Sequence, residues 1–266
     1  MTEVWEPSWA HGAEESARRQ PPGTPCWTSL LARDLEAAKD FYGGLFGWTY
    51  RDTRPGRPGR PGPCARAVLG GRDVAGLAGL PPDRQSPAAW TTYLASDDAD
   101  ATAEWIHCSG GTVGVGPLAA ADGGRMVLAG DPAGASFGVW QGPAPYGGGP
   151  GSAVWHELVT HEAAVVLKFY RALFGYEAKT TGAVDSDTVL LHVDGRPVAS
   201  IRGAGAGLRQ SYWVPYFAVA DPEAAAVRVQ ELGGRVVAGA APTAAGPATT
   251  VMDREGALFS LVRAVP

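Results

Sequence analysis

The sequence predicts an α+β protein built from four βαβββ units, which form two modules related by a pseudo-two-fold axis. The first observation is an internal duplication: Phe-Tyr, then Leu-Phe-Gly and an aromatic residue, occurs at 41–48 and again at 169–176. The second is that each half reads strand–helix–three strands, twice over. The third is a Gly/Pro-rich segment at 142–152, typical of an interdomain linker. Because the whole module is duplicated, we expect any functional site to lie where the two similar modules meet.

The duplication extends beyond these motifs and sets the predicted domain boundaries. Further equivalent pairs are Trp27 with Trp155, Trp90 and Tyr93 with Trp213 and Tyr216, Gly110–Gly111 with Gly233–Gly234, and Asp131–Phe137 with Asp253–Phe259. We predict an N-terminal arm at 1–22, a first module at 23–141, a linker at 142–152 and a second module at 153–266. Because the modules can pair within one chain, we expect a compact monomer. A homodimer is an option, mediated by Trp5 and Trp9 of the arm.

Composition excludes several classes of protein. The chain has 266 residues, of which 45% are hydrophobic and 18% charged, so each module can bury a core. A formal net charge of −5 disfavours nucleic acid, and the best basic run, 51–66, is broken by Pro and Gly. We find no signal peptide and no apolar run of membrane-spanning length. Three cysteines, an odd number and far apart, are typical of reduced thiols. A cytoplasmic protein with no membrane or nucleic-acid partner is predicted.

The elements of the first module follow from capping and turn residues. Strands are predicted at 26–32, 66–69, 74–80 and 90–95, and around Val113, Val127 and 137–140. Asp34 caps a helix that ends at Gly47, and Asp98 caps a second helix that ends at Gly110. Residues 70–73 (GGRD) are typical of a hairpin turn.

The second module repeats this order. Strands are predicted at 154–160, 189–193, 198–201 and 212–220, and helices at 163–174 and 222–232. Asp194 and Gly195 form a turn between two strands, and Pro222 stands in the first turn of its helix, where proline is favoured.

These motifs resemble the vicinal oxygen chelate superfamily, which includes glyoxalases, bleomycin-resistance proteins and extradiol dioxygenases. The resemblance rests on the apolar strand, the acidic cap, the helix ending FY…LFG and the DPxGxxF turn. That turn is intact at 131–137 and altered to DREGALF at 253–259. The resemblance covers about residues 24–264, is closest to two-module actinobacterial proteins, some from antibiotic pathways, and implies cupped mixed sheets. It is specific for fold and weak for reaction.

The resemblance also implies positions for metal ligands, in the first and last strands of each module. These positions are occupied by Trp27 and Trp155 in the first strands and by Gly138 and Ser260 in the last. Trp and Gly offer no side-chain ligand atom and Ser is a poor ligand for Zn, Ni or Fe. We therefore predict no metal and no cofactor. A register slip of one residue would place His156 in the first-strand position and reverse this prediction.

Aromatic residues would line the cups instead. The predicted ligand-binding residues are Trp27, Ser29, Trp90, Tyr93, Trp140, Trp155, Trp213 and Tyr216. Nine tryptophans is a high number for a chain of this size, and aromatic walls suit a flat, apolar ligand. Core packing is the alternative for these rings, and for Trp90 and Trp213 the two interpretations are even.

The predicted acid–base residues are Glu157 and His156. Strand alternation places Trp155 and Glu157 on one face and His156 on the other. A carboxylate beside an indole is partly shielded from water, a setting that suits a general base. The first module has Ser29 at the position of Glu157, which favours the second cup as the active one. The alternatives are a salt bridge for Glu157 and a bond to a neighbouring element for His156.

Further acid–base candidates stand behind these two: Tyr93, Tyr216, Asp73 and His192. We expect His192 to lie at the surface, because it comes just before a hairpin turn.

Three functions follow in order of preference. The first is a metal-independent protein that binds a planar aromatic small molecule of the natural-product or antibiotic type. The second is a metal-independent isomerase, cyclase or lyase of natural-product biosynthesis that uses Glu157 or His156. The third is a metal-dependent glyoxalase or dioxygenase that recruits His156.

Overall fold

The computed structural model describes residues 19–53, 64–80, 87–119, 124–144, 148–180, 187–205, 207–208 and 210–264. Trp5 and Trp9 of the arm and most of the basic run at 51–66 lie outside the described residues, so the homodimer through the arm stays a prediction. Within the described residues the chain forms sixteen strands and four helices.

The two modules have the same order of elements. The first contains β1 (Pro25–Ala32), α1 (Leu35–Phe46), β2 (Thr49–Thr53), β3 (Cys64–Leu69), β4 (Arg72–Gly79), β5 (Ala89–Ala95), α2 (Ala99–Cys108), β6 (Thr112–Ala119), β7 (Arg125–Gly130) and β8 (Ser136–Gln141). The second contains β9 (Ala153–Thr160), α3 (Ala163–Phe174), β10 (Glu177–Thr180), β11 (Thr188–Val193), β12 (Arg196–Gly203), β13 (Tyr212–Val219), α4 (Pro222–Glu231), β14 (Arg235–Ala241), β15 (Ala248–Met252) and β16 (Leu258–Arg263).

Each module forms one eight-stranded mixed sheet. The strand orders are β2-β3-β4-β1-β5-β8-β7-β6 and β10-β11-β12-β9-β13-β16-β15-β14. The pairs β1–β4 and β5–β8 are parallel, as are their equivalents β12–β9 and β13–β16, and the other neighbours are antiparallel. The predicted α+β class, with four βαβββ units in two modules, is confirmed.

Local signals fixed the helix ends. Asp34 accepts a backbone N–H of the first turn of α1, which ends at Gly47 in the left-handed conformation. Asp98 and Asp221 cap α2 and α4 in the same way. Strands β2 and β10 were not predicted, because their short polar sequences, TYRDT and EAKT, show no hydrophobic alternation.

The two modules share their hydrophobic cores. One cluster joins Leu30, Leu77 and Phe41 of the first module to Phe217, Val229 and Phe259 of the second. The other joins Leu94, Ile106 and Phe137 to Leu158, Phe169 and Leu191. Each cluster therefore combines a unit of one module with a unit of the other, and the helices pack between the sheets.

The repeated motifs meet across the module boundary. The hydroxyl of Tyr42, in the first FY pair, donates to Oδ2 of Asp253 over 2.9 Å. The hydroxyl of Tyr170 donates to Oδ2 of Asp131 over 3.2 Å. Oδ1 of each aspartate accepts backbone N–H groups of its own turn, and burial raises the pKa of both carboxyl groups. The tyrosine of each FY pair and the aspartate of each DxxG turn thus form two equivalent polar contacts between the modules.

The C-terminal end of the predicted linker is fixed to both modules. Nε1 of Trp48 donates to the carbonyl of Gly151 over 2.7 Å, and N–H of Gly151 donates to Ala218 over 2.6 Å. These bonds tie Gly151 to a residue of each module. Among the described residues, the helices are all too short or too polar to cross a membrane.

Candidate functional site

Each sheet has a face covered by helices and an outer face turned away from them. Side chains on the outer faces are nevertheless buried, because loops carrying Ala144, Leu208 and Ala245 pack against them. These loops and the sheets enclose two outer clusters of side chains, one around Tyr93 in the first module and one around Tyr216 in the second. We place one candidate site in each outer cluster.

Successive side chains of strand β9 point alternately to the helix-covered face and the outer face of the sheet, as strand alternation predicted. Leu158 belongs to the shared core, whereas Trp155 packs with the outer cluster of the second module. His156 lies on the helix-covered face, where its Nδ1 is 2.9 Å from Oγ1 of Thr92 of the first module. Burial lowers the pKa of His156 to about 3. His156 is therefore a neutral residue of the module boundary and does not share a face with Glu157.

The prediction that Trp90 and Trp213 line the cups is corrected. Both lie in the shared cores, where their indole N–H groups donate to the hydroxyls of Tyr42 and Tyr170, over 3.0 and 2.9 Å. The reason is geometric: Trp90 is three positions from Tyr93, and residues an odd number apart in a strand face opposite sides. Core packing is the interpretation that holds for these two tryptophans.

The first module carries a row of three residues on adjacent strands of its outer face. Tyr93 pairs with Trp27 on one side and with Gly138 on the other. A Cβ atom added at Gly138 would lie 2.2 Å from Cδ1 of Tyr93, so the phenol ring fills the space of a side chain there. Oγ of Ser29 donates to the Tyr93 hydroxyl over 3.2 Å, and burial raises the pKa of this phenol.

Partly exposed apolar side chains surround Tyr93, the centre of this row. They are Trp27, Met126, Leu128 and Trp140, packed around Tyr93. The guanidinium of Arg66 lies 5.6 Å from the centroid of the Trp27 ring, a cation–π arrangement. Asp73, which the sequence suggested as an acid–base group, pairs with Arg66 over 3.3 Å and also with Arg51. The first outer face is thus aromatic with a cationic edge.

The second module has the equivalent row and a polar network that the first lacks. Tyr216 pairs with Trp155 and with Ser260 on the neighbouring strands. Its hydroxyl donates to Oε2 of Glu157 over 2.9 Å, and Nε of Arg202 donates to the same oxygen over 3.0 Å.

Two further bonds complete this network. Oγ of Ser200 donates to Oε1 of Glu157 over 3.4 Å, and Nε1 of Trp155 donates to Ser200 over 3.1 Å. Burial raises the pKa of Tyr216, and the Glu157 carboxylate raises it further. Burial lowers the pKa of Arg202, but Glu157 more than offsets this, so the net shift is upward.

The two charged members of this network differ in their exposure to solvent. Glu157 is 2% exposed, whereas the side chain of Arg202 is 38% exposed. Sequence reasoning missed Ser200 and Arg202. The signal was present in β12, where buried Ala199 and Ile201 alternate with these two polar residues.

His192 is not at the surface, contrary to expectation. Its neighbours Leu191 and Val193 pack in the shared core, so His192 points to the outer face, and it is 7% exposed. Its Nδ1 atom has no hydrogen-bond partner among the described residues.

The residues present do not fit the metal that many members of this fold hold. In the part of the chain that the structure describes, no three His, Cys, Asp or Glu side chains are grouped to bind a metal ion. The positions at which the family resemblance implies metal ligands are occupied by Trp27, Gly138, Trp155 and Ser260, and the ring of Tyr93 covers Gly138. Indole and glycine supply no ligand atom, so we derive no chemistry through a metal at these positions.

The fold and the paired outer faces define a two-module glyoxalase-like protein. Residues 26–139 match the model of the glyoxalase/bleomycin resistance protein/dioxygenase superfamily, and residues 155–262 match the glyoxalase-like domain. The chain belongs to this superfamily.

Relatives that match more than 90% of this chain are named either as anthracycline biosynthesis proteins or as putative glyoxylases. The chain is 37% identical to the anthracycline biosynthesis protein DnrV of Streptomyces peucetius over 91% of this chain and 93% of that protein. It is 34% identical to the putative glyoxylase CFP32 of Mycobacterium tuberculosis over 92% and 96%.

Solved structures share the fold at low identity. The Mn(II)-bound glyoxalase of Novosphingobium aromaticivorans has a TM-score of 0.62 and 17% identity, covering 92% of this chain and 83% of its own. The 2,3-dioxygenase LapB of Pseudomonas sp. KL28 has a TM-score of 0.61 and 14% identity, covering 92% and 93%.

Proposed function

We propose that this protein binds a planar aromatic small molecule, of the natural-product type, on its outer faces and without a metal ion. The observation that carries the proposal is the pair of equivalent rows across the sheets. Trp27 pairs with Tyr93 in one module and Trp155 with Tyr216 in the other, and the resemblance to the superfamily implies a metal-ligand position at each of the two tryptophans. The relatives named for anthracycline biosynthesis support an aromatic polyketide as the class of ligand.

The first outer face provides the apolar surface for such a ligand. Trp27, Met126, Leu128 and Trp140 are partly exposed around a buried tyrosine. Offset stacking on an indole contributes about 0.5–1.5 kcal/mol per ring pair beyond the burial of apolar area. Two partly exposed indoles at one face therefore favour a flat ring system over an aliphatic ligand of the same size.

Fluorescence titration tests the proposal. The intrinsic tryptophan emission of the wild-type protein should show saturable quenching by members of a panel of aromatic polyketides. The Trp27→Leu variant should bind roughly 10-fold more weakly, because stacking and burial on the indole are lost. Trp105→Leu is the matched control, since Trp105 is 59% exposed on α2, and it should bind as wild type. A flat response across the whole panel contradicts the proposal.

A second candidate function is a metal-independent isomerase, cyclase or lyase. The observation that favours it is the buried carboxylate of Glu157 in contact with a phenol and a guanidinium, groups that can move a proton and stabilise an oxyanion. Glu157→Gln keeps the shape of the side chain but removes the base, so it should abolish product formation even at saturating substrate. A variant that converts substrate at the wild-type rate contradicts this function and leaves binding as the remaining one.

A further inference from the structure

In the polar network of the second outer face, the chemistry of the side chains determines which group donates and which accepts each hydrogen bond. An indole N–H can only donate, so Ser200 must accept from Trp155 and has one proton left for Glu157. Tyr216 and Arg202 donate to the other carboxylate oxygen. Glu157 is therefore an acceptor for three donors that come from its own module.

Arg202 has donors that this network does not use. Glu157 engages only its Nε atom, and the structure records no hydrogen bond from Nη1 or Nη2 to any described residue. A guanidinium carries five N–H donors, four of them on these two terminal nitrogens. With 38% of the side chain exposed, the unused edge of Arg202 is a charged group available to an incoming ligand.

The first module shows that the fold does not require this network. By strand register, Ser29, Gly76 and Ala78 stand in the first module where Glu157, Ser200 and Arg202 stand in the second. The first sheet forms the same strand order with these small residues. Burying Glu157 carries a desolvation cost that the first sheet avoids, which indicates a role other than folding.

We infer that Arg202 anchors the ligand of the second outer face by binding an acidic oxygen, a carboxylate or an ionised phenol, of the planar aromatic molecule. Glu157 is then a positioning residue: it holds Nε so that the Nη edge points outward, the geometry that suits an oxyanion. Trp155 and Tyr212, both partly exposed on this face, flank the aromatic part of the ligand. This inference rests on the proposed function and specifies the ligand class for this module.

Matched ligands test the inference by calorimetry. The probes are anthraquinone-2-carboxylate, 2-hydroxyanthraquinone in its ionised form, and the neutral anthraquinone-2-carboxamide. Wild type should bind at least one of the two anions roughly 10- to 100-fold more tightly than the amide, as expected for a hydrogen bond to a charged group. The anion with the larger preference identifies the acidic group that Arg202 takes.

Variants then assign the preference to Arg202. Arg202→Ala, which introduces the residue of the first module, should abolish the preference for the anion and change amide binding by less than about threefold. Arg202→Lys should keep part of the preference, because it retains the charge without the planar edge. Glu157→Gln should weaken binding of the anion but not of the amide, a selective effect that general loosening of the fold would not produce.

Control variants and outcomes separate this inference from the proposed function. Arg66→Leu, which places the second module's residue in the first module, should leave the preference unchanged. If Arg66→Leu abolishes the preference, or if Arg202→Ala and Arg202→Lys both keep it in full, Arg202 is not the anchor, although the protein still binds aromatic ligands. Equal affinity of wild type for all three probes contradicts the inference in the same way. If no probe binds wild type, the proposed function and this inference both fail.

Discussion

At the scale of single residues, a neutral histidine lies where the two modules meet. His156 is buried beside Thr92, and the equivalent position in the first module is Thr28, whose hydroxyl donates to the carbonyl of Thr91. The Thr28 hydroxyl therefore makes a hydrogen bond at the position equivalent to His156 without introducing a side chain that titrates. This makes His156→Thr a substitution that the protein already carries in its other half.

His156→Thr should reduce the acid sensitivity of the fold. The unfolded chain takes up a proton on His156 below pH 6.5, whereas the folded protein does so only at about pH 3. The unfolded state therefore binds more protons in this window, and stability falls as the pH falls. Between about pH 7.5 and about pH 5 the wild type should lose about 2 kcal/mol more than the variant, measured by urea denaturation. His161→Thr, an exposed control, should follow wild type, and parallel curves for His156→Thr would contradict the burial of a neutral imidazole.

A second residue-scale prediction concerns His192. Its Nδ1 is buried without a partner among the described residues, and Val68 stands at the equivalent position of the first module. A buried polar atom without a hydrogen bond costs about 1–3 kcal/mol, so replacing the ring by an apolar side chain offsets the loss of packing. His192→Val should therefore leave the free energy of unfolding unchanged or raise it by up to about 1 kcal/mol. A marked loss in thermal unfolding would indicate that Nδ1 has a partner.

At the scale of elements, the contact between α1 and the turn before β16 joins the modules. Tyr42 donates to Asp253 and accepts from Trp90, all three buried. The pair Tyr170 and Asp131 repeats the arrangement with the modules exchanged.

Tyr42→Phe should destabilise the protein by about 1–3 kcal/mol, because it leaves a buried carboxylate oxygen and an indole N–H without partners. Tyr170→Phe should cost a similar amount. A double-mutant cycle of Tyr42→Phe with Asp253→Asn, measured by chemical denaturation, should give a coupling energy of about 0.5–3 kcal/mol. Additive effects in that cycle would show that the two residues do not act together.

The elements also show how far sequence reasoning extends. Helix caps and hydrophobic periodicity predicted the four helices within a residue or two, and alternation predicted which face of β9 carries Glu157. The same rule, applied to positions 90 and 93, would have separated Trp90 from Tyr93. The bond between Arg202 and Glu157 depends on the parallel pairing of β12 with β9, and periodicity within one strand contains no information about its neighbour.

At the scale of the whole molecule, the two largest core clusters of the described residues are shared between the modules. Each large cluster takes residues from both halves of the chain, and the tyrosine–aspartate pairs cross the same boundary. Internal duplication predicted two modules, but it could not show that they exchange core contacts, because that depends on how the sheets dock.

If the two modules are expressed as separate chains, each should therefore need the other in order to fold. Residues 1–147 and 148–266 expressed alone should unfold without a cooperative transition, since each exposes half of two cores. Mixed in equal amounts, they should form a one-to-one complex with a single cooperative transition, detected by light scattering and circular dichroism. A half that unfolds cooperatively on its own would show that its core is self-sufficient.

The most direct test of the account is ligand binding by protein stripped of metal. Calorimetry with an aromatic polyketide should be done on protein treated with EDTA, and again after addition of Mn²⁺, Zn²⁺ or Fe²⁺. Because Trp27 and Trp155 occupy positions at which the family resemblance implies metal ligands, we expect saturable binding with the same affinity in every sample, within about twofold. Binding that disappears with the chelator and returns with one of the metals would contradict the central claim.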